Sequence, residues 1–222
     1  MRPAALIDID GTLVDSNYQH VIAWNDAFRA HGIVIPMWSL HRAVGMGGDR
    51  LVAEVAGAEI EDALGDALRA RHTEAFGREI GGVAPLPGAE RLVTGLVTAG
   101  HRVVLCSSAD EDEVETYVRL LGVRDVVAWT TAADVSATKP APELVRVALD
   151  RVGGGPAVMV GDTVWDVEAA GHVGIPTIGL LTGGISAADL EEAGAVVVLR
   201  SADELMDRLD ETPLGSAALA SS

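Results

Sequence analysis

From Arg102 to Leu199 short apolar runs alternate with amphipathic stretches, and that alternation restricts the possible folds of this chain more than any other feature. Val103 to Cys106, Val126 to Trp129, Ala157 to Val160, Thr177 to Leu181 and Ala195 to Leu199 have the length and apolar content of buried strands. Between them Val114, Val118 and Leu121, then Leu144, Val145, Ala148 and Leu149, then the run from Val164 to Gly171, recur at helical spacing. Strands joined through helices pair in parallel, with the helices covering both faces of the sheet. The expected class is α/β, a Rossmann-like parallel sheet whose ligands bind beyond the carboxyl ends of its strands.

One segment breaks the rhythm. After a first strand, Ala5-Leu6-Ile7, the chain runs to about Gly82 in helical patterns and glycine-bearing loops: Val21, Trp24 and Phe28; a piece from Trp38 to Val44; Arg50 to Ala56; and a longer face with Ile60, Ala63, Leu64, Ala67 and Leu68. That is far more than a strand-to-helix crossover needs, so an all-helical subdomain is inserted here. The expected division is a core of residues 1–15 and 83–222 and a helical cap of 16–82. Gly81 to Gly88 forms the return linker, with Pro87 opening the next helix. The end of the chain, 212–222, rich in Ser, Ala and Gly, is expected to fray.

Composition narrows the partners. A formal charge of −17 repels phosphate backbones and anionic lipid headgroups, so neither nucleic acid nor a membrane surface is expected to bind. The only cysteine, Cys106, cannot form an internal disulfide, and no apolar run of about 18 residues is present. The cytoplasm is the expected compartment. Oligomeric state is not legible.

The chemistry collects at predicted strand ends. Asp8 and Asp10 stand one residue apart at the end of an extended run, so they aim the same way while Ile9 turns back to pack. Two carboxylates in one mouth repel unless one is protonated or a cation sits between them. Gly11 permits a sharp turn that brings amide N–H groups toward a bound anion, although an Asp-Gly turn also ends strands without any function. Asp162 and Asp166 follow another strand; with Asp8 and Asp10 they make an all-oxygen set that favours magnesium over zinc. Asp166 alone can also be read as a helix cap, and Ser107, which suits a phosphate oxygen, as a cap of the helix that follows it. Lys139 is the sole lysine against fifteen arginines. Beside those acids it would neutralise an anionic phosphoryl group.

The stretch Asp8-Ile9-Asp10-Gly11-Thr12-Leu13-Val14-Asp15-Ser16, the strand-end Ser107, Lys139-Pro140 and Gly161-Asp162-Thr163-Val164-Trp165-Asp166 resemble the four ordered motifs of the haloacid dehalogenase-like hydrolase superfamily. They most resemble its phosphatases with a helical cap after the first strand, the phosphoglycolate phosphatase and beta-phosphoglucomutase neighbourhood. The resemblance implies a magnesium-dependent phosphatase acting on a small phosphorylated metabolite through an aspartyl-phosphate. Asp8 would be the nucleophile, and Asp10 would protonate the leaving alcohol and then activate water. Asp8, the Asp10 carbonyl and Asp162 would hold the metal, with Asp166 either binding it directly or supporting those ligands from behind, and Ser107 and Lys139 would hold the phosphoryl group. Substrate contacts would come from the cap, with Arg50 in the glycine-bearing loop and His20 one turn before Trp24 as candidates. The absence of lysine from Asn17 to Gly82 argues against a Schiff-base hydrolase and disfavours a sugar-phosphate mutase, which stays as the alternative with Arg50 as substitute cation. A non-catalytic phospho-ligand binder is the more distant alternative.

Overall fold

The computed structural model describes residues 2–215. Its six-stranded parallel sheet is built from β1 (Ala4–Ile7), β4 (Val103–Cys106), β5 (Ala128–Thr130), β6 (Ala157–Gly161), β7 (Thr177–Leu180) and β8 (Val197–Leu199), in the order β5-β4-β1-β6-β7-β8. The two short strands β2 (Val14–Asp15) and β3 (Ala84–Pro85) pair antiparallel apart from it. Helices α1 (Asn17–Ala30), α2 (Met37–Ala43), α3 (Gly48–Ala56) and α4 (Ala58–Glu79) lie between β2 and β3 in the chain. The sheet helices are α5 (Ala89–Thr98), α6 (Glu111–Leu120), α7 (Glu143–Arg151), α8 (Val164–Gly171), α9 (Ala187–Ala193) and α10 (Ala202–Asp207).

The period of two explains why the central strands are apolar throughout. In β1, Ala5 and Ile7 join one buried cluster with Leu105 and Val160, while Ala4 and Leu6 join the opposite one with Val104 and Met159. A strand covered on both faces has no solvent side to which a polar residue can turn. A third cluster, with Val21, Trp24, Phe28, Leu40, Leu51 and Leu68, packs the four inserted helices on one another. The Rossmann-like α/β class read from the sequence is therefore the observed one.

Four local expectations are corrected. The strand expected from Val126 begins at Ala128, because the Val126 N–H is turned back onto the Val123 carbonyl (3.0 Å). Pro87 does not open α5: Gly88, with φ +82°, precedes the helix and Ala89 is its first residue. The return linker contains β3, whose pairing with β2 ties both connections of the helical insertion together at its base. The start of the tail is packed, since Thr212 is buried and Leu214 is fully enclosed in the core; residues 216–222 of that expected frayed end lie outside the described residues.

Candidate active site

β1 lies between β4 and β6, so the connections leaving it run to opposite sides and open a crevice at the carboxyl edge of the sheet. Asp8 directly follows β1, Ser107 follows β4, and Asp162 follows β6. Lys139 reaches the same place from the segment after β5. Its ammonium bonds the Asp8 carboxylate, the Cys106 carbonyl (2.7 Å) and Asp166 (2.8 Å), with no exposed surface.

A fully buried lysine needs such partners. Burial works against its charge, but Asp166 and Asp8 outweigh it and hold the ammonium well above its usual range. The acids have the opposite problem. Burial pushes Asp8 well above the ordinary carboxylate range; Lys139 pulls it back, and Asp166, Asp162 and Asp10 add repulsion. Asp162 is raised to about 7, by burial first and then by Asp166. One oxygen from each of Asp8, Asp162 and Asp166 lies within 4.8 Å of the others. Three carboxylates against one ammonium leave an excess of negative charge in a dry site, and hard oxygen donors at that spacing suit a divalent cation. The donor set fits.

Asp162 is held by neighbours that the sequence reading did not single out: Thr12 donates to it (2.8 Å) and Asn17 donates from the first turn of α1 (3.1 Å). Space decides the glycines around it. Gly11 has φ +70°, and a Cβ there would overlap both Asn17 and the Asp162 carboxylate; a Cβ on Gly183 would overlap the same carboxylate. The Gly11 N–H is donated to the Val14 carbonyl (2.9 Å), so the expected amide contact with a bound anion is not offered in this arrangement. Gly11 is needed for the turn and for room. The capping reading of Asp166 is observed: one oxygen accepts from the Thr163 N–H (3.1 Å) and hydroxyl (2.7 Å) in a capping box, while the other meets Lys139.

Asp10 shares the mouth with Asp8, but its carboxylate stands apart from the three metal-type oxygens. It accepts from the Ser16 hydroxyl and lies 3.2 Å from His20 Nε2. The same nitrogen is 3.2 Å from Glu113, and His20 Nδ1 is 3.3 Å from His72 Nε2. Burial opposes the imidazolium, yet Glu113 and Asp10 raise His20 to about 10. Burial would likewise raise Asp10, but the hydrogen bond and charge of His20, with Ser16, hold its carboxyl below the usual range. His72 is pushed well below its ordinary value, by burial and by the His20 charge, so it is the neutral acceptor in this chain of rings.

Asp8, Asp10 and His20 open on a cavity of about 400 Å³ between the sheet edge and the inserted helices. Trp24 and Phe76 line it, with Trp24 stacked on His72 (4.2 Å between ring centres) and Phe76 on His20 (4.0 Å). Ser107 is enclosed and its hydroxyl accepts the Ala109 N–H (3.0 Å), closing the turn into α6; Ser108 and Ala109 line the cavity beside it. Arg50 is not brought in: it is half exposed and lies 3.7 Å from Asp49, while Arg69 of α4 lines the cavity in its place. The helical segment is clasped to the sheet edge. Thr138, next to Lys139, donates to Asp49 and accepts the Gly47 N–H (3.1 Å), and His41 donates to the Gly183 carbonyl (2.8 Å).

Glu113, His72 and Arg69 were not found from the sequence. Glu113 sits among three acids in the first turn of α6, where the helix dipole explains it without any partner; only the tertiary fold brings it to His20.

A doubly wound sheet with a buried Asp-Lys-Asp cluster at its switch point and a helical segment over the crevice defines a class of α/β enzymes whose site is made of strand-end carboxylates. The family model described as haloacid dehalogenase-like hydrolase matches residues 3–174. The phosphoglycolate phosphatase of Rhodospirillum rubrum is 28% identical over 221 residues, covering 94% of this chain and 91% of that protein. A hydrolase from Pseudomonas syringae superposes with a TM-score of 0.90 at 32% identity, covering 95% of this chain and 99% of that one. Beta-phosphoglucomutase from Clostridium difficile shares the fold, with a TM-score of 0.83 at 16% identity over 99% of this chain and 100% of that one. The chain belongs to the haloacid dehalogenase-like hydrolase family and is an enzyme of its phosphatase type. Among the described residues no helix is long and apolar enough to cross a membrane.

Proposed function

We propose that the protein is a magnesium-dependent phosphatase that hydrolyses a phosphate monoester of a small metabolite through an aspartyl-phosphate on Asp8. The observation that carries this reading is the placement of Asp8: it stands at a strand end facing the cavity, with Lys139 on its carboxylate and with Asp162 and Asp166 beside it. Asp8, Asp162 and Asp166 would hold the metal, joined through its backbone carbonyl by Asp10, whose carboxylate is directed elsewhere. Bound there, the cation would supply positive charge for the phosphoryl oxygens and keep the acids ionised.

This chain's own residues account for the rest. Lys139 orients the Asp8 carboxylate and favours its ionised form against the burial that opposes it. An Asp8 oxygen attacks phosphorus as the bond to the leaving alcohol breaks, and Asp10 gives that alcohol a proton that the neighbouring His20 imidazolium passes to it. Asp10 then takes a proton from water, which attacks phosphorus and breaks the bond to Asp8, releasing phosphate and restoring the Asp8 carboxylate and the proton shared by Asp10 and His20. The Ser107 hydroxyl accepts from Ala109 and so retains its own hydrogen for a phosphoryl oxygen. The helical segment 16–82 acts as a cap, and Trp24 and Phe76 exclude water from the reaction.

The test is release of phosphate from p-nitrophenyl phosphate by protein stripped of metal and then supplied with Mg²⁺, beside Asp8→Asn. Turnover is expected only with the wild type and the metal, and Asp8→Asn should lose at least about a thousandfold in kcat. Magnesium-dependent turnover retained by folded Asp8→Asn would falsify the nucleophile assignment.

A further inference from the structure

The cavity lining is unusual in how its cations are used. Five carboxylates line it, Asp8, Asp10, Asp110, Asp112 and Glu113, against the guanidinium of Arg69 and the imidazoles of His20 and His72. His72 is neutral, and the two cations are already engaged by groups of the protein. Arg69 Nη1 donates to both oxygens of Glu61 (2.8 and 3.0 Å) and to the Gly48 carbonyl (3.0 Å), and Nη2 donates to Asp66 (2.8 Å). His20 has one ring nitrogen between Asp10 and Glu113 and the other against His72. Lys139 is committed beneath Asp8 and does not line the cavity. Beyond the phosphoryl position, an entering molecule therefore meets the exposed carboxylates of Asp110, which caps α6, and Asp112 in its first turn, a wall formed by Trp24 and Phe76, and the hydroxyls of Thr73, Thr116 and Ser108.

We infer that this cavity selects phosphomonoesters whose alcohol part carries no second anionic group, an uncharged hydroxylated alcohol being the class that fits. Hydroxyl groups find acceptors in Asp110 and Asp112, and the C–H face of such a molecule finds the aromatic wall. A carboxylate or a second phosphate finds acids with no free cation opposite them and loses its hydration without replacement. The inference rests on the phosphatase reading and goes beyond it. Phosphoglycolate, named for the Rhodospirillum rubrum relative, carries such a carboxylate.

A series of two-carbon esters of nearly equal size isolates charge: phosphoglycolate, 2-hydroxyethyl phosphate and phosphoethanolamine present an anionic, a neutral and a cationic end. A unit charge about 6 Å from one uncompensated carboxylate, at an effective dielectric constant of about 40, is disfavoured about tenfold. The kcat/KM for phosphoglycolate with Mg²⁺ is thus expected to fall at least about tenfold below that for 2-hydroxyethyl phosphate, with phosphoethanolamine at or above the neutral ester. The gap should narrow at high salt, which screens such charges, and in Asp112→Asn, an exposed position on α6. Phosphoglycolate turned over as well as the neutral ester, or a gap that neither salt nor Asp112→Asn changes, would overturn the inference while leaving the phosphatase reading intact. Inactivity on every ester, p-nitrophenyl phosphate included, would remove the phosphatase reading and this inference with it.

Discussion

Replacing Lys139 with methionine keeps most of the side-chain volume and removes the charge, which makes it a direct probe of the buried cluster. The ammonium contacts Asp8, Asp166 and the Cys106 carbonyl and has no exposed surface, so its loss leaves acids in a dry site with no partner. Breaking a buried pair from one side costs about 3–5 kcal/mol. For a chain of this length each kcal/mol lowers the melting temperature by about 2–4 °C, so in EDTA at pH 7.5 Lys139→Met should melt about 10 °C below the wild type. Acid should restore part of the loss, and the direction follows from Asp162. Its carboxyl is raised from the ordinary 3.8 to about 7, so the folded protein holds a proton that the unfolded chain has released. That contribution is complete below about pH 4 and is lost as pH rises through about 7. Lowering the pH from 8 to 6 should therefore stabilise even the metal-free wild type by about 1 kcal/mol, and Lys139→Met by more, since its acids lack their counter-charge. Mg²⁺ should replace the protons and flatten the pH dependence. Thermal unfolding followed by circular dichroism at pH 6, 7 and 8, with EDTA or Mg²⁺, reads all of this. A variant melting within about 2 °C of the wild type in EDTA, with no pH dependence in either protein, would refute the reasoning.

Three other outcomes are expected. Gly183→Ala pushes a Cβ into the Asp162 carboxylate, so Mg²⁺ affinity measured by calorimetry should fall at least about tenfold, and unchanged affinity would show that Asp162 is not a ligand. Thr138→Val removes the hydroxyl that joins Asp49 and Gly47 to the segment next to Lys139; it should raise KM by roughly three- to tenfold with kcat nearly constant, and an unaltered KM would exclude this contact as a clasp. Cys106 is fully enclosed, and burial raises its thiol to about 11, so a thiol reagent at pH 8 should label it only after guanidinium unfolding; rapid labelling of the native protein would contradict the packing of β4.

Much of the fold was legible because the relevant physics is local. The strands β1, β4 and β6 are apolar on both faces, and that pattern alone requires a parallel sheet covered on both sides. The β2–β3 pairing escaped detection, since two-residue strands carry no periodicity. Arg50 was a reasonable candidate from its glycine-rich loop, but the loop turns it outward toward Asp49 while Arg69, midway along α4, reaches the cavity.

The sequence by itself determined the α/β class, the helical insertion and the positions where Asp8, Asp10, Asp162 and Lys139 leave the strands, because strand ends and helix starts are set by neighbouring residues. Only the tertiary structure decided how those groups divide. Asp8, Asp162 and Asp166 gather around Lys139, whereas Asp10 is drawn to Ser16, His20 and Glu113. The reason is geometric and electrostatic together: residues one apart on a strand share a mouth, but a buried carboxylate settles where a donor meets it; Lys139 reaches Asp8 from the segment after β5, more than a hundred residues along the chain, while Ser16 and His20 meet Asp10 from the start of α1 and only the tertiary fold adds Glu113.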